Sequence, residues 1–250
     1  MKATIQHQQR SYKIDFAQPI SIALSLQASE AAASAWYCPP VDITAVQTEQ
    51  FVGDVNLGGA VNFRNITFNP HGNGTHTECV GHISKEFYSI QDVLKTFIFV
   101  AQLVSIEPEA IDGDAVITLA QIQATYQAED QAEAFLVRTL PNTPDKKTRQ
   151  YSNTNPPYLE AAALAWLYEQ GVRHFMIDTP SVDKEQDDGI LAAHHAYWDY
   201  PNNPRLDATI TELIYVPNSI ADGLYILNLQ IAPMENDASP SQPILYRIVD

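Results

Sequence analysis

Residues 71 to 82 read HGNGTHTECVGH, three histidines and a glutamate set among small residues. Imidazole nitrogen and carboxylate oxygen together suit zinc, manganese or iron, with ligand distances of about 2.0 to 2.2 Å for zinc. Glycines at 72 and 74 disfavour a regular helix through the opening of the stretch, so His76 to His82 is expected as extended chain. In extended chain alternate side chains share a side. His76, Glu78 and His82 then converge, while Thr77, Cys79 and Gly81 point away. That is a metal-ligand set. Neighbouring cysteine ligands, which would mark a closed structural site, are missing, and Cys79 is expected as a small buried hydrophobe.

Several elements must hold such a set. The first seventy residues carry β-branched and aromatic runs, ATIQHQ, YKIDF, ISIALSL and AVNFRNITF, broken by polar turns and expected as strands. Asn155-Pro156 predicts a helix N-cap with proline at the first position; Leu159, Ala162, Ala163, Trp166 and Leu167 recur at helical spacing, and Gly171 is the stop. VRHFMID is the strand this helix feeds, and its His174 is expected to be structural. A second helix is expected over Gly189 to Trp198, followed by the strands ATITELIYV and GLYILNLQIAP. In the first of these, Ile210, Glu212 and Ile214 share a face, where a carboxylate is costly to bury unless paired or metal-bound. KKTRQYSNTNPP, 146 to 157, is expected as a mobile loop and KEQDD, 184 to 188, as a solvated one. Trp36 and Tyr37 in AWYCPP are either core residues or an aromatic wall over a substrate. The economical arrangement is one mixed α/β domain spanning 1–250, sheet-rich at both ends.

Composition narrows the partners. Fourteen Lys plus Arg against thirty Asp plus Glu give a net charge of −16, a surface that repels phosphate backbones and anionic lipid. Nucleic acid and membrane are therefore not expected as partners. Apolar runs such as FIFVAQLV fall far short of the roughly 20 residues of a membrane span. The two cysteines, Cys38 and Cys79, make no disulfide framework, and the chain is expected to be cytoplasmic.

Thr75, His76, Glu78 and His82 resemble the H-x-G-T-H-x-D-x-P-x-H signature of the metal-dependent cyclase family, which includes bacterial kynurenine formamidases and isatin hydrolases. IDTPSVD at 177 to 183 is similar to its D-x-x-S-V-D turn, AHHAYW followed by ITELIYV to its H-x-x-L-L … E-n-L segment, and IDFAQPI at 14 to 20 to its opening strand. The resemblance implies a swivelling β/β/α fold, an α/β class, assembled as a homo-oligomer. It implies that His76 and Glu78 bind metal with Glu78 bridging two ions, that His194 and Glu212 close the second position, and that His82 is the general acid/base.

Three departures stand out. The bridging aspartate is Glu78, the proline is Val80, and the first histidine of the signature would fall at Gly72, whereas this chain carries His71. Gly72 and Gly74 let the backbone fold back, so His71 can still serve as a ligand. The spacing from His194 to Glu212 is longer than in the family pattern, with DYPNNPRLD as the insertion, so His195 is an alternative to His194. The implied chemistry is hydrolysis of a carbon–nitrogen bond in an amide, formamide or cyclic amide of a small-molecule substrate, using up to two Zn²⁺ or Mn²⁺ ions per chain to activate water. A cyclase or dehydratase, or a non-catalytic metal-binding protein, are the alternatives. Trp36 is the candidate substrate contact.

Overall fold

The computed structural model describes residues 1–249. Alternating residues open the chain as an antiparallel hairpin, β1 (Lys2–His7) against β2 (Arg10–Asp15). There follow β3 (Ile20–Ser21), β4 (Asp42–Ala45), β5 (Arg64–Thr67), β6 (His76–Glu78), the single-turn helix α1 (Ile90–Val93) and the long β7 (Ile98–Ile106). Next come β8 (Glu109–Ile111), β9 (Asp114–Ile117), α2 (Leu119–Thr125), β10 (Ala134–Thr139), β11 (Tyr158–Leu159) and α3 (Ala161–Glu169). The chain continues through β12 (His174–Ile177), α4 (Ala192–Trp198), β13 (Thr209–Glu212), β14 (Gly223–Ile231) and β15 (Ala238–Val249).

Seven strands form a closed ring in the order β6, β13, β12, β10, β7, β14, β15 and back to β6. Neighbours from β13 through β7 run parallel and the other junctions are antiparallel. The two-residue period of the strands sorts their side chains. Phe99, Ala101 and Leu103 of β7, Ala134 and Leu136 of β10, Met176 of β12, and Tyr225, Leu227 and Leu229 of β14 fill one cluster inside the ring. Their alternates Val104, Phe135, Val137, Phe175 and Ile177 face outward beneath Ile122 of α2, Leu164 and Leu167 of α3, and Tyr197 and Trp198 of α4. The β1–β2 hairpin covers another outer patch, with Tyr12 and Ile14 against Val100 and Ile226. The mixed α/β, sheet-dominated class expected from sequence is the one observed.

Four local expectations change. The helix expected from Asn155-Pro156 begins only at Ala161, because Asn155 is left-handed (φ 47°) with its amide donating to Glu185, and Tyr158–Leu159 pair with β9 instead. Its stop at Gly171 (φ +99°) holds. The second helix starts at Ala192 rather than Gly189. The 146–157 segment is anchored rather than loose: Lys146 is buried, with Nζ donating to Asp178 Oδ2 at 2.8 Å and to the Thr139 carbonyl at 2.6 Å, and Tyr151 is buried beside it. ATITELIYV breaks at left-handed Leu213 (φ 54°), so Glu212 ends its strand, and Ile210 and Ile214 pack in separate clusters instead of flanking it. Among the described residues no helix is long and apolar enough to cross a membrane.

Candidate metal centre

The short strand β6 lies between β13 and β15, and its antiparallel register with β13 pairs His76 with Glu212 and Thr77 with Thr211. Alternation sends the two pairs to opposite sides. The threonine hydroxyls meet at 2.8 Å, while on the other side His76 Nε2 faces Glu212 Oε2 at 3.4 Å. The extended chain expected over 76–82 covers only 76–78. Beyond it Cys79 enters the ring interior, as expected of a small hydrophobe, and residues Val80–His82 form a 3-10 turn. That turn, not strand alternation, returns His82 to the side of Glu78, with Nδ1 3.7 Å from Glu78 Oε2.

His71 reaches the cluster despite its shifted spacing. A Cβ at position 72 would overlap Cys38 Sγ, so Gly72 allows the 71–74 turn to pack directly against the Trp36–Cys38 segment. His71 Nδ1 then sits 3.0 Å from Glu78 Oε2. From α4, His194 Nε2 lies 3.0 Å from Glu78 Oε1 and 3.8 Å from Glu212 Oε1. His195 turns away, its Nδ1 2.7 Å from the Tyr200 carbonyl, so of the two adjacent histidines the structure brings His194 to the cluster. All five expected ligands, His71, His76, Glu78, His194 and Glu212, are thereby assembled with His82 in one place.

Whether these side chains suit a metal can be judged from what they leave unpaired. His76 is fully buried; its Nδ1 lies 3.0 Å from the Gly74 carbonyl, which can only accept, so Nε2 carries the lone pair. Among the described residues Nε2 has no hydrogen-bond partner, and buried Glu78 Oε2 has the His71 ring 3.0 Å away but no aligned hydrogen bond. Acceptor atoms stranded in the interior are costly unless something positive stands between them. Ligand atoms of His71, His76 and Glu78 lie within 4.8 Å of one another, as do those of Glu78, His82 and His194. The donor set fits a divalent cation.

The metal-free electrostatics agree. Burial opposes the charged form of His194, yet its contacts with Asp183 and Glu78 outweigh this and hold its pKa near 10. Burial likewise works against charged His71, and Asp237 and Glu78 overcome it, raising that pKa to about 10. Burial would raise the Glu78 pKa, but His82, His194 and His71 bring it well below the usual carboxylate value. Glu78 thus remains charged, and His71 and His194 supply positive charge beside it when no ion does.

A cleft of about 330 Å³ opens on this cluster, lined by His71, His82, His194 and Glu212 and by Trp36 and Leu191. Lys184, Glu185 and Asp187 also line it, so the acidic run expected as a solvated loop is a wall of the cleft. Trp36 and Tyr37 both take left-handed backbone (φ 58° and 55°), a conformation that costs non-glycine residues energy and is found where the surroundings enforce it. Tyr37 is tied down by its amide to Ser152 Oγ (2.9 Å) and by its hydroxyl to Asn153 Oδ1 (2.7 Å), which keeps Trp36 at the cleft.

The family model described as "Putative cyclase" matches residues 14–184. The chain belongs to the cyclase family. A kynurenine formamidase of Bacillus cytotoxicus is 29% identical over 188 residues, 75% of this chain and 81% of that protein. Isatin hydrolase A from Labrenzia aggregata, solved with benzyl benzoate, superposes with a TM-score of 0.67 at 14% identity, covering 93% of this chain and 94% of its own. A structure titled as a potential metal-dependent hydrolase with cyclase activity gives a TM-score of 0.66 at 13% identity, covering 93% and 99%. At those identities the solved structures share the fold of this chain.

In this cyclase-family chain the matched segment contains His71 to His82 but stops short of His194 and Glu212, which tertiary structure adds. Two aspartates at the cluster went unassigned in the sequence. Asp183 Oδ2 lies 2.6 Å from His194 Nδ1, and its carboxylate accepts from the amides of Ala193 and His194. The IDTPSVD motif contained it, so a signal existed. Asp237 Oδ2 lies 2.9 Å from His71 Nε2 and 3.4 Å from His82 Nδ1. Nothing in MENDASP marks it; only the register of β15 on β6 brings it there.

Proposed function

We propose that this cyclase-family protein hydrolyses the carbon–nitrogen bond of an amide, formamide or cyclic amide, with one or two divalent ions, Zn²⁺ or Mn²⁺, held by His71, His76, Glu78, His194 and Glu212. The observation that carries the reading is a pair of buried acceptors with no hydrogen bond among the described residues, His76 Nε2 and Glu78 Oε2, beside a cleft large enough for a small molecule. The names of the formamidase and isatin hydrolase relatives support the bond type.

A divalent ion bound here supplies a Lewis acid for the scissile carbonyl and lowers the pKa of water. The protein's own residues do the rest. Glu78 turns one oxygen toward His194 and the other toward His71, the arrangement a bridging carboxylate needs. His82 borders the cleft with Nδ1 near Asp237 and is the group to deliver a proton to the departing nitrogen. Trp36 and Leu191 offer the apolar part of the substrate a wall.

The protein acts as a homo-oligomer in the cytoplasm. The arm from β4 to β5 supports assembly, because Leu57, Val61, Phe63 and Ile66 are all more than half exposed on it. Light scattering on the purified chain checks the oligomer. The function is checked by loading the protein with Zn²⁺ or Mn²⁺ and assaying aryl formamides, lactams and isatin-like compounds, with metal content read by mass spectrometry. Turnover with stoichiometric metal is the expected result. Stoichiometric metal with no turnover across the panel would favour a binding protein instead.

A further inference from the structure

His71 and His194 stand in mirrored positions. Each turns one ring nitrogen to an oxygen of Glu78 and the other to an aspartate outside the cluster: Asp183 for His194, Asp237 for His71. Asp183 is secured by the first turn of α4. Asp237 is secured by strand register, since β15 pairs Ala238 with Glu78 and the Asp237 carbonyl accepts from the Cys79 amide at 3.0 Å. The preceding residue is locked as well, for Asn236 accepts from the Ile90 amide at 2.8 Å and its side-chain amide donates to the Ala238 carbonyl at 3.0 Å. Gly81 completes the fit: a Cβ there would overlap the Tyr88 carbonyl and press on Asp237 Cβ, so only glycine lets the 80–82 turn come this close.

The rings of His71 and His82 stack at 4.4 Å with 30° between planes, and both present a nitrogen to the same oxygen, Asp237 Oδ2. His71 sits on a turn held by Asn69, whose side-chain oxygen accepts from the His71 and Gly72 amides; these bonds fix the backbone and leave the ring to its own contacts. Those contacts are Glu78 at Nδ1 and Asp237 at Nε2.

We infer that Asp237 is a positioning residue of this centre, one carboxylate oxygen that holds His71 with Nδ1 toward Glu78 and His82 with Nε2 free for the substrate. The inference rests on the metal-hydrolase reading proposed above. An acceptor of this kind fixes the tautomer and orientation of a ligating imidazole and raises its basicity, and its loss commonly lowers metal affinity about 10- to 100-fold. For His82 the same contact leaves a defined proton-transfer atom.

The test compares full-length wild type with Asp237→Asn and Asp237→Glu. Zn²⁺ affinity is measured by competition with a chromophoric chelator, and imidazole tautomers in the Zn²⁺-loaded protein by long-range ¹H–¹⁵N NMR. Asp237→Asn should bind Zn²⁺ about 10- to 100-fold more weakly and lose kcat with KM little changed, and Asp237→Glu should recover part of both. Wild-type His71 should carry its proton on Nε2, a readout that needs no variant should Asp237→Asn fail to fold. Equal Zn²⁺ affinity in Asp237→Asn, or a wild-type His71 protonated on Nδ1, overturns the role of Asp237 while leaving the metal site intact. A wild type that binds no Zn²⁺ overturns the metal reading as well, so the two failures are distinct.

Discussion

His76 and Glu212 face each other across the β6–β13 ladder, Nε2 to Oε2 at 3.4 Å, and among the described residues that nitrogen has no hydrogen-bond partner. A directly opposed pair in a sheet is held by the register of the whole ladder, so its geometry is rigid. The protein should therefore purify with one to two divalent ions per chain, and His76→Ala should lose most of them. Unchanged metal content in His76→Ala, read by mass spectrometry, would remove this pair from the site.

Glu78 contacts His194 through one oxygen and His71 through the other, each at 3.0 Å. Shortening the arm by one methylene in Glu78→Asp cannot keep both distances while the backbone stays in its ladder, and displacements of ~1 Å commonly cost on the order of 10²-fold in rate. Glu78→Gln also removes the negative charge between cations. Second-metal retention and turnover should fall in the order wild type, Asp, Gln. An Asp variant as active and as fully metallated as wild type would show that Glu78 is not a bridge.

His82 comes from a 3-10 turn and lies farther from Glu78, at 3.7 Å, than His71 or His194. His82→Ala should retain metal and lose on the order of 10²- to 10⁴-fold in turnover, the contribution of a positioned acid/base group. Loss of metal in this variant would make His82 a ligand.

Trp36 holds a left-handed backbone at the cleft wall. Trp36→Ala should raise KM several-fold for aromatic substrates with metal content unchanged, because it removes apolar contact area and no ligand. A KM equal to wild type would return Trp36 to a purely structural role.

His174, on the buried strand β12, has its pKa pushed down to about 4 by burial, which outweighs the attraction of Asp207. The unfolded chain binds a proton there at about 6.5. The contribution to stability is thus complete above pH 6.5 and is lost as pH falls toward 4, by on the order of 3 kcal/mol. His174→Gln should flatten the decline of unfolding free energy between pH 7 and 4. Parallel denaturant curves for the two proteins across that range would disprove it.

The parts of the site written in local sequence were legible. His76 and Glu78 share a side because strand geometry has period two, and a three-residue strand suffices for that. His82 reached its place by another route, a turn that strand alternation does not describe. The helix expected at 155 failed because Tyr158 and Leu159, which would form its first turn, pair instead with Val116 and Ile117 of β9, far away in sequence.

Sequence alone determined the donor types, the acidic surface, the sheet-rich class and the family signature, since each depends on residue identity or short-range spacing. Tertiary structure decided which donors meet. The choice of His194 over His195 depends on how α4 rotates as Tyr197 and Trp198 bury themselves, and on Asp183 gripping the start of that helix. The arrival of His71 depends on Gly72 packing against Cys38, and that of Asp237 on the register of β15 beside β6, 159 positions apart from Glu78 to Asp237 in the chain. Register and helix rotation are set by burial of apolar faces distributed over the whole ring, and no local pattern of residues encodes them.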